Sequence, residues 1–406
     1  MSIASLMEKL LNGVEVNWKA LGELGELVRG NGLPKTDFTE SGVPAIHYGQ
    51  IYTYYGLSTQ TTISFVSPET AKKLKKVNTG DVVITNTSEN LEDVGKALVY
   101  LGKPQAVTGG HATIFKPNSL IIGKYVAYFT QTSAFFCEKR KLAKGTKVID
   151  VSATDLAKIQ IPIPCPENPK KSLEIQAEIV RILDAFSAMT AELTAELTAE
   201  LNLRKKQYNH YRNQLLSFAE GEVEWKTLGQ VLQMRAGQHI SASKIMPNAS
   251  NEHSYPCFGG NGIRGFVENK SHDGEHLLIG RQGALCGNVQ RMKGKFYATE
   301  HAVVVTSSDE IDIDWAFHML TVMNLNQYAS QSAQPGLAVG KLQGLKIPVP
   351  SLAEQKRTAY ILDKFDALTN SITEGLYREI ELRQKQYEYY RDLLLSFPKP
   401  KTEVAA

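Results

Sequence analysis

The sequence predicts an α+β fold: two globular mixed α/β domains separated by a pair of long antiparallel coiled-coil helices, with a pseudo-twofold internal repeat. Three observations predict it. The 406 residues exceed the length of a typical domain about threefold. Two 46-residue segments, 173–218 and 352–397, align without a gap at a constant offset of 179 residues. Both segments carry apolar residues at coiled-coil spacing.

Short matching motifs mark the internal repeat. ILD-x-F occurs at 182 and 361, KQY at 206 and 385, and LLSF at 215 and 394. IPIP at 161–164 matches IPVP at 347–350, and EVNWKALG at 15–22 matches EVEWKTLG at 222–229. Because a repeat sets the domain boundaries, we divide the chain into the following segments: an N-terminal stub that completes a circular repeat (1–17), a first globular domain (18–164), a linker (165–172), a central helix (173–218), a second globular domain (219–351), a C-terminal helix (352–397) and a tail (398–406).

The central helix is predicted from an a/d seam that steps by four and three residues. The seam residues are Ile175, Ile179, Ile182, Phe186, Met189 and Leu193. The step then becomes four and four through three tandem TAEL copies, whose marker residues are Thr190, Leu193, Leu197 and Leu201. A four-residue insertion of this kind is a stutter, which unwinds the supercoil locally without breaking the helix. The C-terminal helix repeats the stepping from Ile361 to Phe397, so we expect the two helices to pack against each other.

The two globular domains share a framework and differ in their interior sequence. Each has a strand-like run followed by a polar, glycine-containing loop, GDVVIT at 80–85 and HLLIG at 276–280. Each later has a small-residue run that enters another strand, GGHATIF at 109–115 and TEHAVVV at 299–305. A shared frame with a divergent interior is what two recognition modules for different ligands would show.

Composition excludes several classes of protein. No apolar run approaches the roughly 20 residues of a bilayer span, and the N-terminus lacks the apolar region of a secretory signal, so we expect a cytoplasmic protein. Cysteines 137, 165, 257 and 286 form no Cys-x-x-Cys pair, which predicts free thiols and no metal site. The formal net charge of +3 is too small to indicate nucleic-acid binding.

These motifs resemble the specificity subunit of type I restriction-modification enzymes over essentially the whole chain. IP-x-P, then Gln176 or Gln355, then ILD-x-F carry the resemblance in both halves. The TAEL copies, RKKQY and the FPKP ending are similar to the IC subgroup. The resemblance implies that each globular domain is a target-recognition domain, which reads one half of a bipartite site in double-stranded DNA with a spacer of seven base pairs.

The same resemblance implies partners and cofactors. Two modification subunits would dock on the helix pair and methylate adenine with S-adenosylmethionine, and two restriction subunits would add translocase and nuclease activity that uses ATP and Mg²⁺. This chain itself would need no cofactor.

Two other classes of protein stay open at this point. A coiled-coil scaffold without DNA specificity would explain the helices but not the two similarly framed domains. A nucleotide-modifying enzyme would need a motif, and neither a P-loop nor an Asn/Asp-Pro-Pro-aromatic quartet is present. His111 and His301 directly precede predicted strands, and without a base, nucleophile or metal partner we interpret them as structural or ligand-contacting. We therefore predict no catalytic residue and no metal ligand.

Candidate DNA contacts follow from the side chains that base edges and phosphates prefer. In the first domain they are Asn86, Thr87 and Ser88, the basic turn at Lys141, Lys144 and Thr146, and the run His47, Tyr48 and Gln50 with Tyr52 and Tyr54. In the second domain they are Arg281 and Gln282, Asn261 and Arg264, and Gln331 and Gln334. The basic clusters Arg204, Lys205, Lys206 and Arg383, Lys385 are interpreted as a solvated or partner-facing helix stripe.

Overall fold

The computed structural model describes residues 13–219, 221–283, 285–331, 335–371 and 374–397. The chain divides into two compact units. Unit 1 comprises residues 1–195 and 381–406, and unit 2 comprises residues 196–380. Each unit therefore contains one globular domain and parts of both long helical segments. Among the described residues, no helix combines the length and apolar character that crossing a bilayer requires.

Unit 1 is built around two five-stranded sheets, with strand orders β2-β12-β8-β10-β5 and β3-β6-β4-β11-β7. Its described strands are β1 Val16–Ala20, β2 Gly25–Arg29, β3 Phe38–Thr39, β4 Val43–Ile46, β5 Ser58–Thr59, β6 Ser64–Val66, β7 Lys75–Val77, β8 Val82–Thr85, β9 Thr87–Ser88, β10 Ala97–Tyr100, β11 Ala106–Thr108, β12 Ala112–Pro117, β13 Ile149–Asp150 and β14 Gln160–Pro164. Its short helices are α1 Leu21–Leu24, α2 Tyr48–Thr53, α3 Pro68–Lys73, α4 Gly123–Phe129, α5 Ser133–Leu142 and α6 Ala153–Leu156.

Unit 2 contains a four-stranded antiparallel sheet, β16-β22-β19-β20, and a three-stranded sheet, β18-β17-β21. Its described strands are β15 Glu224–Thr227, β16 Leu232–Ala236, β17 Tyr255–Gly259, β18 Gly262–Val267, β19 Glu275–Gly280, β20 Val289–Lys293, β21 Tyr297–Ala298, β22 Ala302–Ser307 and β23 Lys346–Val349. The remaining described α-helices are α7 Pro169–Leu215, α8 Leu228–Val231, α9 Ile313–Val322, α10 Val339–Gln343, α11 Leu352–Asn370 and α12 Gly375–Leu394.

The repeat motifs close each globular domain in the same way. In unit 1, β1 pairs antiparallel with β14, so that Trp18 lies opposite Pro162. In unit 2, β15 pairs antiparallel with β23, so that Trp225 lies opposite Pro348. The matching segments at the start and end of each domain are therefore partner strands of one small sheet.

The central strand β8 is a continuous buried apolar run because both of its faces are covered. Val82 and Ile84 belong to the core that contains helix α4. Val83 belongs to a second core with Leu98 and Ile114. The central strand β19 of unit 2 follows the same rule, since Leu277 and Leu278 lie in different cores.

A buried glutamine ties each globular domain to the long helix that follows it. In unit 1, Oε1 of Gln176 accepts from the amide of Ile122 and Nε2 donates to the carbonyl of Leu120, both at 3.0 Å. In unit 2, Oε1 of Gln355 accepts from the amide of Asp312 at 2.9 Å, and Nε2 donates to the carbonyls of Glu310 and Pro350 at 3.0 and 2.9 Å. Both glutamines are completely buried, so these bonds form a clamp at the junction.

The ILD-x-F motif adds a second contact at each junction, and its aspartate faces the globular domain. Asp184 accepts from the Tyr128 hydroxyl at 2.6 Å and pairs with Lys124 at 2.8 Å. At the equivalent place in unit 2, Asp363 lies 2.8 Å from Nε2 of His318 and pairs with Arg291.

The phenylalanine of the same motif faces the neighbouring helix. In unit 1, Phe186 contacts Tyr390 with ring centroids 6.1 Å apart, and Ser187 donates to the Tyr387 hydroxyl. In unit 2, Phe365 stacks on Tyr211 with centroids 5.8 Å apart. In unit 1 the partner residue number falls as the α7 number rises, so the helical segments run antiparallel there.

The protonation of His318 makes the unit 2 junction sensitive to pH. Burial lowers the pKa of His318 from its usual value of 6.5, although the hydrogen bond to Asp363 acts in the opposite direction. The unfolded chain therefore takes up a proton at this site before the folded protein does, so stability is lost as pH falls below about 6.5. We expect the thermal midpoint of the wild type to fall further between pH 7.5 and 5.5 than that of His318→Gln. Equal shifts in the two proteins would contradict this expectation.

The prediction of one continuous helix over 352–397 is wrong, because α11 ends at Asn370 and α12 begins at Gly375. Where the first copy has TAEL repeats, the second reads TNSITEGL at 369–376. Within this break, Oγ of Ser371 accepts from the amide of Glu374 at 3.2 Å. Gly375 has φ +75°, and a Cβ there would lie 2.6 Å from the carbonyl oxygen of Ala367, so only glycine fits.

Other predicted boundaries also differ. Helix α7 begins at Pro169 rather than at residue 173, since Oδ1 of Asn168 caps the amide of Lys171 and proline suits the first helical position. The seam prediction is wrong at Met189 and Leu193, whose side chains are exposed. Residues 1–12 of the predicted stub and the whole tail at 398–406 lie outside the described residues.

Candidate nucleic-acid interface

Asn86, a predicted base contact, lies inside the first domain. Its Nδ2 donates to the carbonyl of Val151 at 2.6 Å, and its Oδ1 accepts from the Thr113 hydroxyl at 2.9 Å. The side chain is fully buried. Because both ends of the amide already have partners and no surface faces solvent, the prediction that Asn86 reads DNA is wrong, and its role is to hold the loop after β8.

Thr87 and Ser88 follow as strand β9, which pairs with β13 of the basic turn. Thr87 Oγ1 lies 2.9 Å from Nδ1 of His111, and the Thr87 carbonyl accepts from the Tyr52 hydroxyl at 2.7 Å. Thr87 is nearly buried, while Ser88 is half-buried. The loop after β8, the basic turn and the aromatic run, which are separate in sequence, therefore meet here.

The aromatic run begins helix α2, and two of its polar side chains are used locally. Nδ1 of His47 accepts from the amide of Gly49 at 3.2 Å, and Nε2 of Gln50 donates to the Ser64 hydroxyl. Burial, assisted by Lys35 and His111, lowers the pKa of His47. The Tyr48 ring lies between two imidazoles, with centroids 4.6 Å from His47 and 4.8 Å from His111. This half-buried aromatic group borders Thr87.

The basic turn carries less free charge than its sequence suggests. Lys144 pairs with the buried carboxylate of Asp155 at 3.0 Å, and Lys158 pairs with the same carboxylate at 2.7 Å. Hydrogen bonds from Lys158, Lys144 and Ser152 hold the pKa of Asp155 far below its usual value. Lys141 pairs with Glu138 at 3.1 Å. Thr146 is exposed in this turn.

In the second domain, Arg281 is aimed at the protein. Its Nε and Nη1 lie 3.4 Å from the carbonyl oxygens of Leu337 and Glu300, and the residue is half-buried. The neighbouring Gln282 is exposed, and its Oε1 contacts Nδ1 of His301. The arrangement favours Gln282 over Arg281 as the side chain that is free to meet a ligand.

The turn between β17 and β18 packs beside Gln282. A Cβ on Gly260 would lie 3.0 Å from the carbonyl oxygens of both Gln282 and His301, so the turn needs glycine to approach this closely. Asn261 and Arg264 are exposed on the same hairpin. Gln331 is also exposed, whereas Gln334 lies outside the described residues.

Comparison with known proteins decides the family. The sequence matches the type I restriction modification DNA specificity domain over residues 14–203 and again over 220–382, once for each half of the repeat. The chain belongs to this family. It is 52% identical to the type I restriction enzyme EcoprrI specificity subunit of Escherichia coli, over 92% of this chain and 93% of that protein. It is 37% identical to the EcoR124I/EcoR124II specificity subunit of the same organism, over 99% of both chains.

Solved structures show the same fold. A structure that addresses complex assembly and conformational transition of the type I restriction-modification system aligns with a TM-score of 0.59 at 15% identity, over 94% of this chain and 97% of that chain. The crystal structure of the HsdS subunit from Thermoanaerobacter tengcongensis aligns with a TM-score of 0.51 at 14% identity, over 94% and 96%. The IC subgroup suggested by the TAEL copies remains a prediction.

In this specificity-domain protein the TAEL residues differ in burial along α7. Thr190 is half-buried and lines a cleft of about 760 Å³ in unit 1, together with Ala191, Thr194 and Tyr387. Leu193 is exposed, Leu197 is half-buried, and Leu201 is buried. The copies are therefore part of one uninterrupted helix, as their sequence predicts.

The basic residues of the helices lie among acidic and polar neighbours. Arg204 pairs with Glu200 at 2.7 Å, and Lys205 donates to the Tyr377 hydroxyl at 2.6 Å. Lys385 pairs with Glu381. Among the described residues, no group of three or more His, Cys, Asp or Glu side chains is arranged to hold a metal ion.

Proposed function

We propose that this chain is the DNA sequence-specificity subunit of a type I restriction-modification complex and is itself non-catalytic. Each recognition domain reads one half of a bipartite site in double-stranded DNA. One observation carries the proposal: both units hold an equivalent run of four antiparallel strands, β2-β12-β8-β10 and β16-β22-β19-β20. Each unit is clamped to a long helix by an equivalent glutamine and aspartate, while the exposed side chains around the strands differ. The family match and the named relatives support it.

The clamps give the helices a mechanical role. Because Gln176 and Gln355 are buried and fully bonded, each domain is held in one orientation on its helix. Half-sites read from one face of DNA lie about 34 Å apart, or a multiple of that distance. A helix of defined length between two clamped domains can set this separation, and a spacer of seven base pairs is part of the proposal.

The partners supply the chemistry in this proposal. The helix pair docks two methyltransferase subunits, which methylate an adenine in each half-site with S-adenosylmethionine. Two restriction subunits add ATP- and Mg²⁺-dependent translocation and cleavage. The part of this chain is to choose the site and to position the methyltransferases on it.

Selection from a randomised duplex library tests the proposed function. The full chain, with and without the modification subunit, is incubated with duplexes whose two ends are randomised, and bound DNA is separated by gel shift and sequenced. We expect enrichment of two fixed sequences at one fixed separation. No enrichment in either condition would indicate a scaffold without DNA specificity, and covalent change of DNA by the chain alone would indicate an enzyme.

Deletion of one TAEL copy tests the helix as a spacer. Removing Thr194–Leu197 shortens α7 by four residues, which is about 6 Å of rise. We expect the preferred spacer to shorten by one base pair while both half-site sequences stay the same, as measured by methylome sequencing. Glu196→Gln, which keeps the length, is the matched control and should keep the original spacer. An unchanged spacer in the deletion variant would contradict the spacer role.

A further inference from the structure

Both domains place a histidine at the same point of the same strand arrangement. His111 directly precedes β12, and its carbonyl accepts from the amide of Asn86 at 2.8 Å. His301 directly precedes β22, and its carbonyl accepts from the amide of Arg281 at 2.8 Å. The two donors, Asn86 and Arg281, come directly after the buried central strands β8 and β19.

The side chain of the next residue contacts the imidazole in both domains. Oγ1 of Thr87 lies 2.9 Å from Nδ1 of His111. Oε1 of Gln282 contacts Nδ1 of His301. The contacts therefore correspond one by one, although the loop reads Asn-Thr-Ser in unit 1 and Arg-Gln-Gly in unit 2.

Next to each histidine, a glycine of a neighbouring segment packs tightly against the backbone and holds it in place. The amides of Gly30 and Gly237 donate to the carbonyls of Ala112 and Ala302, both at 2.9 Å. A Cβ on Gly30 would lie 2.1 Å from the carbonyl oxygen of Gly109, and one on Gly237 would lie 2.3 Å from that of Thr299. Neither glycine tolerates a side chain.

The strands continue this match for one more residue. Asn31 bridges in parallel to Gly109, and Gln238 bridges in parallel to Thr299. In each domain the bridged residue lies two positions before the histidine. The backbone around the two histidines therefore has the same arrangement in both domains.

The side chains around the two histidines differ between the domains. In unit 1 the Tyr48 ring packs beside the His111 imidazole. In unit 2 the carboxylate of Glu300 lies 3.5 Å from Nε2 of His301 and 3.0 Å from Nδ1 of His239. Burial raises the pKa of Glu300, but hydrogen bonds from its own backbone and from His239 outweigh burial and lower it, so this carboxylate is charged at neutral pH.

Exposure leaves the two histidines and Gln282 available to a ligand, whereas Thr87 lies nearly buried behind His111. His111 and Gln282 are exposed, and the His301 side chain is 40% exposed. Other candidates beside them are occupied, since Asn86 is buried and Arg281 donates to carbonyls. A shared frame with exchangeable side chains is what two readers of different half-sites require.

We propose that the pairs His111 with Thr87 and His301 with Gln282 are the DNA-contacting centres of the two domains, and that both pairs set base preference: residue 282 meets the base directly, and residue 87 acts by orienting His111. The inference rests on the proposed function. A glutamine carboxamide can bond adenine through two atoms at once, whereas the Thr87 hydroxyl is bonded to His111 and leaves the imidazole to meet the base. The partner at Nδ1 fixes the orientation of each imidazole, which is the contact common to both domains.

Reciprocal substitutions test this assignment. Gln282→Thr and Thr87→Gln are made in the full chain, combined with the modification subunit, and selected on the randomised bipartite duplex library. We expect Gln282→Thr to change base preference in one half-site only and Thr87→Gln to change the other half-site only, with the spacer unchanged. His301→Ala should weaken binding of the wild-type site about tenfold or more, the loss of one good base contact.

Controls separate this outcome from a loss of structure. Lys293→Ala removes an exposed charge that pairs with Glu275 at the other end of β19, and it should leave both half-sites unchanged. His301→Gln keeps a hydrogen-bonding side chain, and thermal melting of every variant shows whether it is folded. If His301→Ala does not fold, the reciprocal substitutions and His301→Gln still decide the question.

Two results would overturn the inference while leaving the proposed function intact. In the first, the wild type selects a bipartite site, and the folded variants keep the base preferences and the affinity of the wild type. Alternatively, each variant weakens both half-sites equally, which would indicate a general structural role. If the wild type itself selects no bipartite site, the proposed function fails instead.

Discussion

Gln355→Leu is expected to lower the free energy of unfolding of unit 2 by about 3 kcal/mol or more. The substitution leaves the amide of Asp312 and the carbonyls of Glu310 and Pro350 without their side-chain partner in a partly buried site, and each orphaned group costs about 1 kcal/mol, the low end of the range for buried groups. Urea unfolding measures the global effect. Hydrogen exchange at residues 310–316 measures the local effect, and it should become faster there first.

The two halves of the chain provide matched controls for this prediction. Gln176→Leu should produce the same loss in unit 1, with faster exchange at residues 120–122. Lys356→Ala, at an exposed position next to Gln355, should have little effect. Unchanged unfolding and unchanged exchange in both glutamine variants would show that the clamps do not stabilise the junctions.

Asp363→Ala is expected to cost unit 2 about 2 kcal/mol, since it removes the carboxylate 2.8 Å from Nε2 of the fully buried His318 and leaves the imidazole only the longer contacts to Tyr208 and Arg291, at 3.4 and 3.3 Å. The ion pair with Arg291 is partly exposed and contributes less, and Arg291 retains Asp314 at 3.0 Å. A double-mutant cycle with His318→Gln isolates the interaction energy between residues 318 and 363. We expect the double variant to be more stable than the sum of the single losses predicts, and strict additivity would contradict a direct coupling.

The contacts of Asp363 and Phe365, and those of Asp184 and Phe186, explain why the ILD-x-F motif occurs at both junctions. Its aspartate bonds the globular domain through Tyr128 or His318, and its phenylalanine contacts the neighbouring helix. One turn of helix thus connects a recognition domain to the coiled-coil surface. Loss of either contact should loosen the orientation of the domain and broaden the range of spacers that the protein accepts.

The repeat and the heptads were sufficient to predict the frame of the fold. They predict that matching segments bound each domain, but they do not predict that these segments pair as β1 with β14 and β15 with β23, which only the structure shows. They miss the break at Gly375, where Asn, Ser and Gly replace TAEL. The break is visible in the sequence as helix-breaking residues, but the apolar stepping across it masked the signal.

The candidate site was harder to predict than the frame, because burial and pairing depend on distant parts of the chain. Asn86 looks like an exposed loop amide until Val151 and Thr113 are seen around it. Arg281 is turned inward by carbonyls at residues 300 and 337. The correspondence of His111 with His301 is present in GGHATIF and TEHAVVV, but their partners Thr87 and Gln282 share no sequence signal.

Methylome sequencing of cells that carry this chain and its modification subunit shows whether each domain reads its own half of the site, when Gln282→Thr and Thr87→Gln are compared with the wild type. We expect one bipartite motif with two specific ends and a fixed non-specific spacer, and we expect each substitution to alter only one end. A contiguous motif, or substitutions that alter both ends together, would contradict the claim that each domain independently reads one half of the site.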